Sequence, residues 1–168
     1  MPQIRTATLA DIPEIARINV DTWRSDFVGI VPDNYLANMS YEKTGGFERG
    51  FVSGKYFYYI AEQNSEMVGY ICVMQNSEIP EYISSGELKM IYVKKRFQKT
   101  GIGKKLFIKA AEYLYKKDCK SMIALTLKAS KAPLFYSAMR GVIYHDKKVI
   151  IGGKELDEIC YFYNLPLE

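Results

Sequence analysis

Cysteine, histidine and tryptophan are scarce in this chain of 168 residues, and each scarcity removes a class of chemistry. The three cysteines, Cys72, Cys119 and Cys160, are odd in number and far apart, so they outline neither a disulfide framework nor a metal cluster. Cys72 and Cys160 stand in apolar runs and read as core. The one histidine, His145, has no cysteine or carboxylate at ligand spacing, so no metal is expected and a Cys-His nucleophile lacks support. No apolar run approaches the ~20 residues that cross a bilayer, and Met1-Pro2-Gln3-Ile4-Arg5 lacks the apolar core of a secretory leader. A cytoplasmic protein without membrane attachment is the expectation. Repeats, low-complexity tracts and linkers are absent too, which favours one domain over residues 1–168.

What the chain does have is clustered positive charge. The formal net charge is only +4, yet Lys94, Lys95, Arg96, Lys99, Lys104, Lys105 and Lys109 fall within one short stretch. A polyanionic ligand suits such a cluster. Nucleic acid is the rival, and would show itself as steeply salt-dependent DNA binding.

The stretch 87–118 explains why the charge is there. An apolar run at 88–93 reads as a strand, a basic turn follows at 94–100, and Gly101-Ile102-Gly103 opens a segment whose Ile102, Leu106, Ala110 and Leu114 share one helical face. Glycines at such a turn let backbone approach a ligand, and the first N–H groups of the helix have no intrahelical partner, so a phosphate is the expected guest. Two phosphate motifs fail here. A Walker A loop needs glycine at 98 and Ser or Thr at 105, where Gln98 and Lys105 stand; a dinucleotide fingerprint needs glycine at 106, where Leu106 stands.

Gln98-Lys99-Thr100-Gly101-Ile102-Gly103-Lys104 instead resembles Q/R-x-x-G-x-G/A, the acyl-coenzyme A pyrophosphate loop of the GNAT acetyltransferase superfamily. The resemblance extends over nearly the whole chain. It implies an α/β (α+β) fold, a central mixed and mostly antiparallel sheet of about seven strands with helices on both faces, and a splayed parallel strand pair that holds the pantetheine arm. It also implies acetyl-coenzyme A as donor, with the pyrophosphate on backbone N–H groups of Gln98, Lys99, Thr100, Gly101, Ile102, Gly103 and Lys104. Oxyanion donors would come from the backbone of Ile91, Tyr92 and Val93, exposed by a bulge.

Transfer of an acetyl group to an amine asks for a proton acceptor, an oxyanion site and a proton for the departing thiolate. Glu87 lies sixteen residues before Gly103, where histone-type relatives place a general base; its alternative is a solvated strand-edge carboxylate. Tyr136 closes Ala132-Pro133-Leu134-Phe135-Tyr136, which resembles the family's A-x-x-F-Y, whose tyrosine is the general acid. A phenol of pKa about 10 carries the required proton at neutral pH. Two departures stand beside these matches. Ala129 occupies a position where many relatives have Asn, so one coenzyme A contact is expected either to be missing or to come from Ser130, and Arg140 replaces a glycine after the tyrosine.

Around this centre the chain reads in order as a strand at 3–7, a helix at 9–24 begun by Thr8 and Asp11, helical pieces near 33–39 and at 41–49, and strands at 56–62 and 67–75. A polar loop follows at 76–86. Beyond the glycine-led helix come a parallel strand at 121–127, a short helix at 131–139, and strands at 142–151 and 159–163 joined through Gly152-Gly153. Asp26 and Phe27, after the first helix, are the acceptor-pocket candidates; Trp23 reads as a core anchor, and Glu78 and Glu81 as loop acids. The partner expected is a small-molecule or peptide amine, with no nucleic acid. The C-terminal strand and its aromatics would suit a homodimer. The alternative to an enzyme is a sensor that binds acyl-coenzyme A without turnover.

Overall fold

The computed structural model describes residues 2–43 and 45–167. Seven strands form one sheet: β1 (Gln3–Thr6), β2 (Phe57–Gln63), β3 (Glu66–Met74), β4 (Gly86–Val93), β5 (Ser121–Leu127), β6 (Val142–Ile151) and β7 (Lys154–Asn164), in the order β1-β2-β3-β4-β5-β7-β6. Every neighbouring pair is antiparallel except β4 with β5. The mixed, mostly antiparallel sheet expected above is therefore observed.

Helices cover both faces. α4 (Ile102–Lys116) buries Ile102, Leu106, Phe107, Ala110, Ala111 and Leu114 against Val73, Leu88, Met122 and Ala124, and α5 (Ala132–Ala138) adds Tyr136 to the same cluster. On the opposite face α1 (Ile12–Asp26) sets Ile12, Ile15 and Ile18 against Tyr58, Ile60, Tyr70 and Cys72. β3, covered on both faces, is buried at eight of its nine positions and reads as a continuous apolar run. β6 at the sheet edge instead alternates, and leaves Val142, Tyr144 and Ile150 exposed. All three cysteines are free and buried. No helix among the described residues is long and apolar enough to cross a membrane.

Four boundaries differ from expectation. The first helix is preceded by a 3-10 turn at Leu9–Asp11 and runs to Asp26, so Asp26 closes the helix rather than following it. The helix expected at 41–49 is α3 (Gly45–Val52), with residues 41 and 42 in a turn before it; Thr44 lies outside the described residues. β4 begins at Gly86 and so contains Glu87. β7 begins at Lys154, because Gly152 and Gly153, with φ of +58° and +80°, form a tight turn and pairing with β6 resumes at once.

Where β3 meets the outer half of β4 the backbones touch. A Cβ at Gly69 would lie 2.7 Å from the Tyr92 carbonyl oxygen and 3.1 Å from the Val93 Cα. Gly69→Ala must therefore push the strands apart, with an expected loss of about 1–3 kcal/mol. A urea midpoint equal to that of the wild type would show the contact to be compliant.

Candidate active site

The parallel pair is short. Gly86, Glu87 and Leu88 face Met122, Ile123 and Ala124, and there the pairing stops, although β4 continues to Val93 and β5 to Leu127. Residues 89–93 stay with β3 and residues 125–127 stay with β7, so the sheet opens between them. Lys89 marks the divergence. Cys72 pairs with Met90 and Val73 with Leu88, which leaves Lys89 as the extra residue of a β-bulge. The bulge thus falls before residues 91–93 and not among them as expected.

At the open end of β4 the chain turns into α4. A 3-10 turn at Lys95–Phe97 is followed by Lys99 and Gly101 with φ of +60° and +85°. Gln98 donates from Nε2 to the Val93 carbonyl at 3.1 Å, and Thr100 from Oγ1 to the Phe97 carbonyl at 2.6 Å, so both side chains brace the turn from within. Ile102, Gly103 and Lys104, as first residues of the helix, have N–H groups without an intrahelical acceptor. Gly103 is seated on the Phe-Tyr motif: a Cβ there would stand 3.2 Å from Phe135 Cε2.

The basic cluster is only partly available. Lys94 donates to Glu14 at 2.7 Å and Glu66 at 3.0 Å, and Arg96 also pairs with Glu66, whose carboxylate these two cations hold below its ordinary range. Both side chains are therefore engaged with acids on α1 and β3. Lys95, Lys99, Lys104 and Lys105 are exposed around the turn. Ser130 is likewise occupied, donating to the Leu127 carbonyl at 2.8 Å and accepting from the Ala132 N–H at 3.2 Å ahead of α5.

Glu87 is not a solvated strand-edge residue, being only 2% exposed. Its carboxylate accepts from Ser77 Oγ at 2.7 Å and from Lys89 Nζ at 2.8 Å. The bulge residue thus turns its ammonium back onto the acid two positions earlier. Burial is the largest single effect on Lys89 and lowers its proton affinity. The bond to Glu87, together with the charge of Glu87 and the nearby Tyr56 and Glu78, outweighs it, and the ammonium titrates above its ordinary value. Neither Ser77 nor Lys89 was singled out in the sequence. Glu78 is not free to attract a cation either, since it pairs with Lys55 and lies 3.9 Å from Lys89.

Tyr136 is buried on the α4 and α5 side of the opening, between Phe135 and Tyr161. Burial, with Tyr92, Tyr163 and Tyr161 nearby, raises its phenol well above the usual range, so it is neutral at any physiological pH. Among the described residues the hydroxyl makes no hydrogen bond. Two residues further on from Ala138, Arg140 adopts φ of +63°, the left-handed conformation for which relatives use glycine.

On the other side, the end of α1 lines the opening. Phe27 is buried with Val31, Leu36, Leu127 and Leu156, and stacks on Trp23 with centroids 4.7 Å apart. Asp26 accepts from Ser25 Oγ at 3.0 Å and from Gln98 Nε2 at 3.5 Å, which ties the helix to the glycine turn. Trp23 is more than a core anchor: its Nε1–H donates to Tyr92 Oη at 3.0 Å. Beside it runs a groove of about 230 Å³ lined by Ile30, Leu127, Lys128, Ala129, Glu155, Leu156 and Asp157. Lys154 closes its end by donating to the Ile30 carbonyl at 2.8 Å.

A splayed parallel pair, a glycine-led helix at its open end and a buried tyrosine beneath define the class. The family model described as an acetyltransferase (GNAT) domain matches residues 35–139, and the chain belongs to that family. A relative of this chain, the uncharacterized N-acetyltransferase YuaI of Bacillus subtilis, is 29% identical over 162 residues, or 95% of this chain and 91% of that protein. Among solved structures, the yncA protein of Salmonella typhimurium, solved with its cofactor acetyl-CoA, superimposes with a TM-score of 0.78 at 17% identity, over 100% of this chain and 96% of that one. The paiA N-acetyltransferase of Thermoplasma acidophilum, in complex with coenzyme A, gives 0.69 at 18% identity, over 94% and 98%. At these identities the two structures establish the fold.

The Glu87–Lys89 pair carries a stability consequence. Lys89→Met leaves a buried carboxylate without its cation, with an expected cost of about 3–5 kcal/mol in urea unfolding, and adding Glu87→Gln should recover part of it. A single variant as stable as the wild type would mean that Lys89 does not hold this carboxylate.

Proposed function

We propose that the protein transfers the acetyl group of acetyl-coenzyme A to a primary amine by direct attack within a ternary complex. The observation that carries the reading is the coincidence of the opening between β4 and β5 with the unpartnered N–H groups at the start of α4. The backbone of residues 98–104 would hold the pyrophosphate, and exposed Lys95, Lys99, Lys104 and Lys105 would add long-range attraction. The pantetheine arm would lie in the opening, with backbone N–H groups of residues 91–93 facing the thioester oxygen.

The amine nitrogen bonds to the carbonyl carbon and the carbon–sulfur bond breaks. Glu87 takes the ammonium proton through water; each of its oxygens already accepts one hydrogen bond and has a second lone pair left. Tyr136, neutral and with its hydroxyl unengaged by the described residues, gives its proton to the thiolate and is reprotonated, through solvent, by the second proton that the nitrogen loses as it becomes an amide. The donors already on both Glu87 oxygens are the one feature that favours a sensor of acyl-coenzyme A without turnover.

Thiol release against a panel of amines separates the two. Glu87→Gln and Tyr136→Phe should each lower kcat by roughly 10²–10⁴ while coenzyme A affinity in calorimetry stays within twofold. Gly103→Glu, which forces a charged side chain against Phe135 and the phosphate, should abolish that affinity. Tight coenzyme A binding with no thiol release from any amine would favour the sensor. Unchanged affinity in Gly103→Glu would remove the site itself.

A further inference from the structure

Trp23 and Tyr92 form a hydrogen bond whose direction is not negotiable. Indole nitrogen donates and cannot accept, so the Tyr92 oxygen is the acceptor at 3.0 Å and its own proton must be given elsewhere. Among the described residues that proton has no acceptor. The phenol keeps it: burial pushes Tyr92 up to about 12, against the opposing effect of the Trp23 bond. The ring belongs to the outer part of β4, past the point where the sheet opens, and packs on the α1 side with Leu127 and Leu156. Tyr92 is thus an oriented hydroxyl donor on the wall opposite Tyr136.

The rest of that wall has a consistent chemistry. Trp23, Phe27, Ile30, Leu127 and Leu156 make it apolar. Its carboxylates are engaged: Asp26 with Ser25 and Gln98, and Asp157 and Glu155 with Lys148 at 2.6 and 3.6 Å. A polyamine carries several cations and no oxygen, so it would leave the Tyr92 donor unmatched and would have to displace Lys148 or Gln98 to find an anion. A ligand with one ammonium, an adjacent carbonyl oxygen and an apolar side chain matches all three features.

We propose that the acceptor is an α-amino carbonyl compound with an apolar side chain, as at the start of a peptide, and that the Tyr92 hydroxyl donates to its carbonyl oxygen. The inference rests on the reading of the opening as the transfer site. Tyr92 is then a specificity-determining residue, and Trp23 positions it.

The test uses matched amines on the full chain saturated with coenzyme A: leucinamide, isoamylamine, which lacks the carbonyl, and spermidine. Calorimetry is run beside acetyl transfer. Wild-type protein should bind leucinamide at least threefold to tenfold more tightly than isoamylamine, the ratio expected of one hydrogen bond, and spermidine least. Tyr92→Phe should bring the leucinamide ratio near unity with isoamylamine affinity unchanged, and Trp23→Phe should reduce it in part. Equal losses for both amines in Tyr92→Phe would mean a packing role only and overturn the proposal. So would tighter binding of spermidine or isoamylamine, or undetectable binding of leucinamide. A preserved binding ratio without acetyl transfer would support the acceptor assignment while removing the enzymatic reading.

Discussion

The divergence of β4 from β5 after Leu88 is the constraint on which the rest of the molecule depends. Parallel strands normally pair along their shared length, and a gap inside a sheet exposes two rows of backbone groups that cost free energy if left dry and unpaired. Here each strand keeps its other neighbour, β3 for β4 and β7 for β5, so the sheet survives the opening as two halves hinged on three residue pairs. α4 and α5 bridge the halves from one face through the large cluster around Leu106, Phe107 and Tyr136. The end of α1 bridges them from the other through Phe27 and Trp23. A cleft between strands is thereby held open by helices.

The hinge itself is built from polar groups, which is costly unless every one is matched. A bulge at Lys89 changes the facing of the strand by one residue, and the extra side chain is long enough to reach back to Glu87. Ser77, from the loop before β4, fills the other oxygen and also accepts the Ile79 N–H at 3.1 Å, so loop and strand are fastened together at the carboxylate. A buried ion pair of this kind adds little net stability compared with apolar packing, but breaking it is expensive. The pair forms at the bulge, where the register of β4 against β3 shifts by one residue.

Much of this was legible in the chain, for identifiable reasons. The stripe Ile102, Leu106, Ala110 and Leu114 reports burial directly, and the helix it predicts packs on the sheet by that face. The positive φ at Gly101 is likewise what a glycine before a helix suggests. What could not be read was pairing between distant residues. Whether Glu87 faced solvent depended on a strand boundary at Gly86 and on Ser77, ten positions away. Trp23 was placed correctly on a helix face, yet its bond to Tyr92 joins residues 69 positions apart. The Lys89 bulge leaves no mark in composition, since an extra residue in one strand is visible only against its partner. The acids that neutralise Lys94 and Arg96 come from α1 and β3, and no local charge count pairs them.

That last point changes how the basic turn should be understood. Lys94 bridges Glu14 on α1 to Glu66 on β3, and Arg96 joins the same Glu66, so two of the cations anchor the start of the turn to both neighbouring elements. Such pairs are partly exposed and each is worth little alone, but a network with a shared carboxylate restricts where the turn can go. Lys95, Lys99, Lys104 and Lys105 are exposed, suited to drawing an anion in rather than fixing its position. In the proposed reading, fixing falls to the backbone N–H groups of the glycine turn, which Gln98 and Thr100 brace from inside and Phe135 supports at Gly103. Phe135 precedes Tyr136 on the same short helix, so the element that supports the phosphate turn also carries the buried phenol. The proposed phosphate turn and the proposed proton donor are thus referenced to one piece of structure, and a shift of α5 would misplace both together.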